Sequence, residues 1–318
     1  MSEVSSVTES YRKVPYDIRT AKQIERRMLL ESLQLLAEGG FPISEYQYTG
    51  FGSIHFVDFI LLHRFLGITR MLCAEHSLKI KKRMEFNRPF KTVDVRMKSA
   101  TEVIPTLASQ SKHILWLDYD GPVERAHLDD LALAGTYLSS GSILAVTIDV
   151  EAPGDDSDGA REWRDYFVNQ AGPLVGDATE IQDYAESLLI RRNIEILERS
   201  IASGLAGRKG IQFLPLYCFW YADGHEMLTL GGMVADANDA KKLHESKVPN
   251  LFYIRRDFKR EPYRISPPVL TRKERLYLDA FMPCALGYTP SDFELPSDEV
   301  AAYRELYRYC PLYAELLI

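Results

Sequence analysis

Between Tyr46 and Val150 the chain alternates short apolar runs with stretches of helical period, and few architectures accommodate that order. The runs are "EYQYTGFGS", "ITRMLCAEHS", Thr92 to Met97, "HILWLDYDGP" and "GSILAVTIDV". Near-continuous apolar character means that both faces of each strand are covered. Helical patterns separate the runs, over "HFVDFILLHRFLG", Leu78 to Phe86, Glu102 to Ala108 and Glu124 to Tyr137. Five strands joined by crossover helices predict a parallel sheet with helices on both sides.

The flanks extend this unit. Upstream, Ile24, Met28, Leu29, Leu33 and Leu36 follow helical spacing, Thr20 with Gln23 matches a capping box, and Gly39-Gly40 ends the pattern. Residues 1–15 are polar, Ser-rich and aperiodic, and read as a flexible tail. Downstream, 151–178 is rich in Asp, Gly and Pro and predicts a long loop, followed by a helix over Ile181 to Ile201. In "GIQFLPLYCFWYADGHEMLTLGGMVA" two apolar runs flank Asp223-Gly224, a hairpin turn signal, so an antiparallel hairpin is expected at one edge of the sheet. The domain reading is a tail at 1–15, an N-terminal helix within 16–40, a sheet domain at 41–235 with a loop and helical insertion at about 151–205, and an appendage at 236–318.

Composition narrows the function classes. With 318 residues and 46% hydrophobic content the chain can bury a large core. No apolar stretch reaches the roughly 18–20 residues of a membrane span, and "MSEVSSVTESYRK" lacks a signal-peptide core, so a cytoplasmic location is expected. A net charge of −7 does not indicate a nucleic-acid partner, and the basic clusters Lys79 to Arg83 and Arg255 to Arg260 read as solvated faces. Cys73, Cys218, Cys284 and Cys310 form no CxxC pair, and no HExxH occurs; reduced, buried thiols and no zinc centre are expected.

In an open parallel sheet, ligands bind at the carboxyl ends of the strands. Gly50 and Gly52 end the first strand, where a missing Cβ permits either close ligand approach or simply a tight turn. Glu75 ends the second strand, 25 residues after Gly50, and can accept hydrogen bonds from vicinal ribose hydroxyls or cap the helix after Ser77. Ser99 either lines the site or caps its helix with Glu102. Asp118 and Asp120 end the fourth strand; alternation places them on one side with Tyr119 on the other, a pair able to hold a proton or a divalent cation, while Asp120 could instead cap the next helix. Asp149, ending the fifth strand, faces the cleft or belongs to the loop that follows. His55 and His76 lie beside the two turns, where packed or surface roles outweigh catalytic ones.

Five α/β units, a helix and a closing hairpin resemble the class I S-adenosylmethionine-dependent methyltransferases over about Tyr46 to Ala235. The resemblance implies a Rossmann-like, seven-stranded, mostly parallel sheet with a C-terminal antiparallel hairpin, and S-adenosylmethionine as cofactor. It also implies cofactor contacts at Thr49, Gly50, Gly52, Ser53, Glu75, His76, Ser99 and Ala100, and a catalytic set of Asp118, Asp120 and Tyr119 acting on an oxygen or nitrogen nucleophile. Some metal-dependent O-methyltransferases carry a similar D-x-D, which keeps a divalent metal open. The chain departs from the family pattern where Tyr48-Thr49 replaces the acid before the glycines, where no third glycine follows Gly52, and where Gly121-Pro122 excludes the Asp-Pro-Pro-Tyr signature of amino-directed DNA methyltransferases. "KQIERRM", "GFGSIHFVDF" and "LDYDGP" together resemble a bacterial methyltransferase-like group with links to phage-defence gene clusters. That implies the alternative of a non-catalytic subunit with a protein partner, or a homo-oligomer. An NAD-type oxidoreductase fits less well, because GxGxxG is missing.

Overall fold

The structure is a computed structural model that describes residues 19–108, 110–151 and 157–312. The expected tail at 1–15 lies outside the described residues. The apolar stripe of Ile24, Met28, Leu33 and Leu36 builds α1 (Thr20–Glu38) and is fully buried. Its expected capping box does not form: Thr20 is already helical, Arg19 is the N-cap, and no side chain of the first turn closes it. The Asp223 carboxylate, 202 residues away, accepts the Ala21 and Lys22 N–H groups instead, at 3.1 and 2.8 Å. A carboxylate at this end also meets the positive pole of the helix dipole.

The alternation follows as β1 (Gln47–Gly50), α2 (Val57–Leu66), β2 (Arg70–Ala74), α3 (Lys81–Asn87), β3 (Val93–Arg96), α4 (Ala100–Val103), β4 (His113–Asp118), α5 (Arg125–Tyr137) and β5 (Ser142–Asp149). Where a loop was expected across 151–178, the helix α6 (Ser157–Ala171) forms; residues 152–156 lie outside the described residues. Its polar composition obscured the spacing of Trp163, Phe167 and Ala171, of which Phe167 and Ala171 are buried. Then come α7 (Glu186–Leu205), β6 (Gln212–Ala222), β7 (Glu226–Ala235), α8 (Ala237–Glu245), β8 (Tyr263–Ile265), α9 (Arg272–Phe281) and α10 (Ser297–Leu306).

Among the described residues eight strands form one sheet in the order β3-β2-β1-β4-β5-β7-β6-β8, and only β7 runs antiparallel to its neighbours. The mostly parallel sheet with its antiparallel hairpin is as expected. The hairpin is not the edge, however, because β8 pairs with β6 in parallel from Phe219↔Tyr263 to Tyr221↔Ile265, which makes eight strands rather than seven. The order reverses between β1 and β4, the switch point where ligands bind in such sheets.

Strand alternation sends Tyr48, Trp116, Ala145 and Tyr217 into a core shared with α1, α2 and the C-terminal residues Tyr253, Leu278 and Tyr303. It sends Leu115, Leu117, Leu144 and Val146 into a second core under α4, α5, α6 and α7. The four cysteines are free; Cys73, Cys218 and Cys310 are buried and Cys284 is half-buried. No helix of the described residues is long and apolar enough to cross a membrane.

On the second face α5 and α7 approach closely enough to require glycine at their crossing. A Cβ on Gly135 would stand 2.7 Å from the Ile201 carbonyl oxygen, and one on Gly204 would collide with the Ala132 carbonyl oxygen. Both obstacles are backbone, so neither can yield by a rotamer change. Gly204→Ala is therefore expected to destabilise the fold by about 1–3 kcal/mol, while Gly207→Ala, whose Cβ meets nothing within 4 Å, serves as the neutral control. Urea unfolding monitored by circular dichroism measures both.

Candidate active site

The first two turns of α1 cross the carboxyl ends of the central strands and are buried on every side, charged residues included. Lys22, Glu25 and Arg26 are 1%, 0% and 5% exposed. A buried charge persists only with partners, and each finds them on other elements. The Lys22 ammonium lies 2.6 Å from Asp118 Oδ1, 2.9 Å from Glu25 Oε2 and 4.5 Å above the Trp116 ring. Arg26 Nε donates to Asp58 Oδ1 at 2.6 Å. Tyr221 donates to Glu25 Oε2 at 3.2 Å, and Arg19 stands 4.0 Å from Asp223.

These pairings set the protonation states. Burial opposes charge on Lys22, but Asp118 and then Glu25 outweigh it and hold the ammonium above its ordinary pKa. Burial likewise opposes charge on Asp118, and Lys22, with help from Arg26 and Arg19, holds its carboxyl below the ordinary range. Glu25 goes the other way: burial raises it, Lys22 pulls it back, Asp118 adds to the rise, and the net direction is upward. One of its oxygens, Oε1, is buried without a hydrogen-bond partner among the described residues.

The turn after β1 is unusual in its backbone. Gly50 and Gly52 have ordinary φ, whereas Ser53 (φ 44°) and Phe56 (φ 51°) are left-handed. Such conformations cost about 1–3 kcal/mol each and need surrounding structure to hold them. Phe56 is fully buried and packs edge-on against Phe59. The glycines answer to this packing: a Cβ on Gly52 would meet Cys73 Sγ at 2.7 Å and Phe56 at 2.8 Å, and one on Gly50 would meet the Tyr48 hydroxyl at 2.5 Å. The tight-turn reading thus accounts for both glycines. Ser53 Oγ is left buried with no hydrogen-bond partner among the described residues.

Thr49 is buried beneath this turn. Across the β1–β2 register Gly50 pairs Cys73, and Glu75 follows one residue past β2. Its side chain is 14% exposed; Oε1 accepts the Ser77 N–H at 2.7 Å, and Oε2 makes no hydrogen bond among the described residues. The capping reading therefore holds for one oxygen and leaves the other available. His76 is exposed. Ser99 and Glu102 form the full capping box of α4, so Ser99 is engaged as a cap, with Ala100 buried behind it.

At β4 the expected geometry holds in part. Asp118 lies on the α1 face, held by Lys22, and does not cap α5; that cap is Glu124. The strand ends at Asp118, although the Tyr119 N–H still donates to the Thr147 carbonyl and the Asp149 N–H to the Gly121 carbonyl, both at 3.0 Å; Asp120 is exposed in the bend between them. Tyr119 turns to the opposite side as expected: its hydroxyl donates to Asp130 Oδ2 at 2.7 Å, and its ring stacks on His127 at 3.7 Å and meets Phe51 at 5.2 Å. Burial, then the Asp130 charge, raises its pKa well above the ordinary value, so the hydroxyl stays neutral and donates to Asp130. Asp149 is half-buried, beside His225.

Lys22, Glu25, Arg26, Asp58 and Asp130 were not singled out from sequence, and Asp223 was read only as part of a hairpin turn. The apolar stripe of α1 marks an amphipathic helix, but periodicity cannot show that such a helix is covered all round. The one available signal was Asp58, a carboxylate inside the apolar run "HFVDFILLH".

A family model described as "Putative O-methyltransferase" matches residues 14–318. No curated protein matches. Among solved structures, Trm1 from Pyrococcus horikoshii, in complex with S-adenosyl-L-methionine, is 13% identical, with 70% of this chain and 57% of that chain covered and a TM-score of 0.45. The O-methyltransferase from Bacillus cereus, in complex with SAH, is 14% identical, with 70% and 86% covered and a TM-score of 0.40. The O-methyltransferase TomG from Streptomyces achromogenes, in complex with SAM, is 15% identical, with 64% and 79% covered and a TM-score of 0.36.

Two expectations test the electrostatics. Lys22→Met removes the ammonium shared by Asp118 and Glu25, and should cost about 3–5 kcal/mol of stability; replacing Asp118 by Leu as well should recover part of that loss in the same denaturation assay. His127, whose Nδ1 accepts the Glu124 N–H at 3.2 Å, is pushed by burial down to about 4. Its folded pKa lies below its unfolded value of about 6.5, so between those values the unfolded chain binds the extra proton. Stability should then fall as pH drops from about 6.5 toward 4. His127→Asn, which keeps an acceptor for Glu124, should flatten that part of the pH profile.

Proposed function

We propose that this chain, which belongs to the family described as "Putative O-methyltransferase", transfers the methyl group of S-adenosylmethionine to an oxygen nucleophile at the carboxyl edge of the sheet. The observation that carries the cofactor assignment is the pair of available groups at the switch point. Among the described residues, Ser53 Oγ is buried without a hydrogen-bond partner in a strained turn, and Glu75 Oε2 is open at the end of the neighbouring strand. A ligand with a polar methionine end and a ribose fits both, with Glu75 accepting from the ribose hydroxyls and Ser53 meeting the amino-acid end. Phe51 and the Tyr119–His127 stack supply an apolar wall on the opposite side. Thr49, Gly50 and Gly52 shape the turn, and Ala100, behind the Ser99 cap, closes the third strand end.

S-adenosylmethionine supplies a methyl group on a sulfonium sulfur, open to displacement by an entering nucleophile. The chain's own contribution is alignment and exclusion of water. Asp118, held ionised by Lys22, is a weak base but a firm hydrogen-bond acceptor, suited to orienting an acceptor hydroxyl. An acidic hydroxyl, phenolic or carboxylic, needs no stronger base and is the acceptor class this arrangement fits.

Calorimetric titration tests the reading. S-adenosylmethionine and S-adenosylhomocysteine should bind and NAD should not, and Glu75→Ala should weaken binding by about 1–3 kcal/mol. Unchanged affinity in a folded Glu75→Ala variant removes Glu75 from the site; no binding of either adenosyl ligand to the intact chain overturns the proposal.

A further inference from the structure

A second group of side chains stands at the same edge of the sheet and plays no part in the scheme above. Asp149 ends β5, Glu151 follows two residues later, and His225 lies in the β6–β7 turn. The Val150 N–H donates to the Glu226 carbonyl at 2.8 Å, which brings that turn against the segment leaving β5. One donor atom from each of Asp149, Glu151 and His225 lies within 4.8 Å of the others. His225 Nδ1 is 2.6 Å from Glu151 Oε2 and 3.6 Å from Asp149 Oδ2. The other Asp149 oxygen is fixed by the Glu151 N–H at 2.8 Å, which turns Oδ2 toward the imidazole.

We propose that Asp149, Glu151 and His225 form a binding site for a divalent transition-metal ion. With metal–ligand bonds of about 2.1 Å, adjacent ligand atoms stand about 3.0–3.4 Å apart. The two spacings to His225, 2.6 and 3.6 Å, bracket that range, and the two carboxylate oxygens lie within 4.8 Å of each other. One imidazole nitrogen with two carboxylate oxygens suits Mn²⁺, Co²⁺ or Zn²⁺ better than Ca²⁺ or Mg²⁺, which prefer all-oxygen shells. Asp149 is 18% exposed while Glu151 and His225 are 51% and 61% exposed, so the site has a fixed base and an entry from solvent.

The site is distinct from Asp118, whose Oδ1 is taken by Lys22 at 2.6 Å. It has a structural consequence that does not rest on methyl transfer. His225 lies two residues from Asp223, and Asp223 caps α1. A cation joining the turn to the end of β5 holds the cap in place, and an ion that binds only the folded chain stabilises it.

The test uses the full chain stripped with a chelator and titrated at neutral pH with Co²⁺, read by visible absorption, and with Mn²⁺ and Zn²⁺, read by calorimetry and thermal unfolding. One equivalent should bind and raise the melting temperature. His225→Ala and Glu151→Gln should each weaken binding by at least about 10–100-fold, whereas His244→Ala, an exposed histidine elsewhere, should not. Absence of binding to the intact chain, or binding unchanged in a folded His225→Ala variant, overturns the proposal and leaves an ordinary ion pair. Metal binding is read without cofactor or acceptor, so its failure is separate from failure of the methyl-transfer reading.

Discussion

Two ion pairs, the part-buried Lys22–Asp118 and the buried Arg26–Asp58, fix α1 across the strand ends, and the geometry of the candidate site depends on them. At an effective dielectric of about 20, charges 4 Å apart attract by about 4 kcal/mol. Desolvation costs each ion several kcal/mol, so the pairs add little net stability. What they supply is register. A helix held by apolar contacts alone could slide along the sheet, whereas Lys22 fits only beside Asp118 and above Trp116. The Asp223 cap adds a third fixed point, from the hairpin at the far side of the sheet.

The charge count of this cluster shapes the chemistry. Lys22, Arg26 and Arg19 face Glu25, Asp58, Asp118 and Asp223, three cations against four carboxylates. Of the two carboxylates on Lys22, Glu25 is the more weakly held: burial raises its pKa, Lys22 pulls it back, and its Oε1 has no hydrogen-bond partner among the described residues. Asp118 stands nearer the ammonium, which holds its carboxyl below the ordinary range. The tighter Lys22 holds it, the worse it serves as a base and the better it serves as a fixed acceptor.

Much of the fold was legible because it rests on period and punctuation. The five strands, the Asp223-Gly224 hairpin and the buried thiols follow from apolar runs, turn residues and cysteine spacing. The losses have physical causes. The strand β8 has three residues and exists only because β6 offers it an edge, so no local pattern announces it. The helix α6 was hidden by Asp and Gly around a sparse apolar stripe. At the site, sequence picked out the strand ends where Ser53, Glu75 and Asp118 lie, since position at a parallel strand end is a local property. It could not supply their partners. Lys22 is 96 residues from Asp118, and a lysine on a helix reads as exposed until the tertiary structure covers it.

"KQIERRM", "GFGSIHFVDF" and "LDYDGP" have a common explanation in this arrangement. Lys22 of the first meets Asp118 of the third, and Arg26 of the first meets Asp58 of the second. The second also carries the turn in which Ser53 and Phe56 are held left-handed, and Asp58 lies two residues beyond Phe56 in the first turn of α2. The Arg26–Asp58 pair therefore anchors the start of α2 just where the strained turn enters it. A turn costing about 1–3 kcal/mol per left-handed side chain would otherwise relax into a more common conformation. Burial of Phe56 and the anchored Asp58 both oppose that relaxation, and the result is a serine hydroxyl held in place with no hydrogen-bond partner among the described residues. The ion pairs thus act on two sides of the proposed cofactor site, fixing the carboxylate at the end of β4 and the turn at the end of β1 through a single helix.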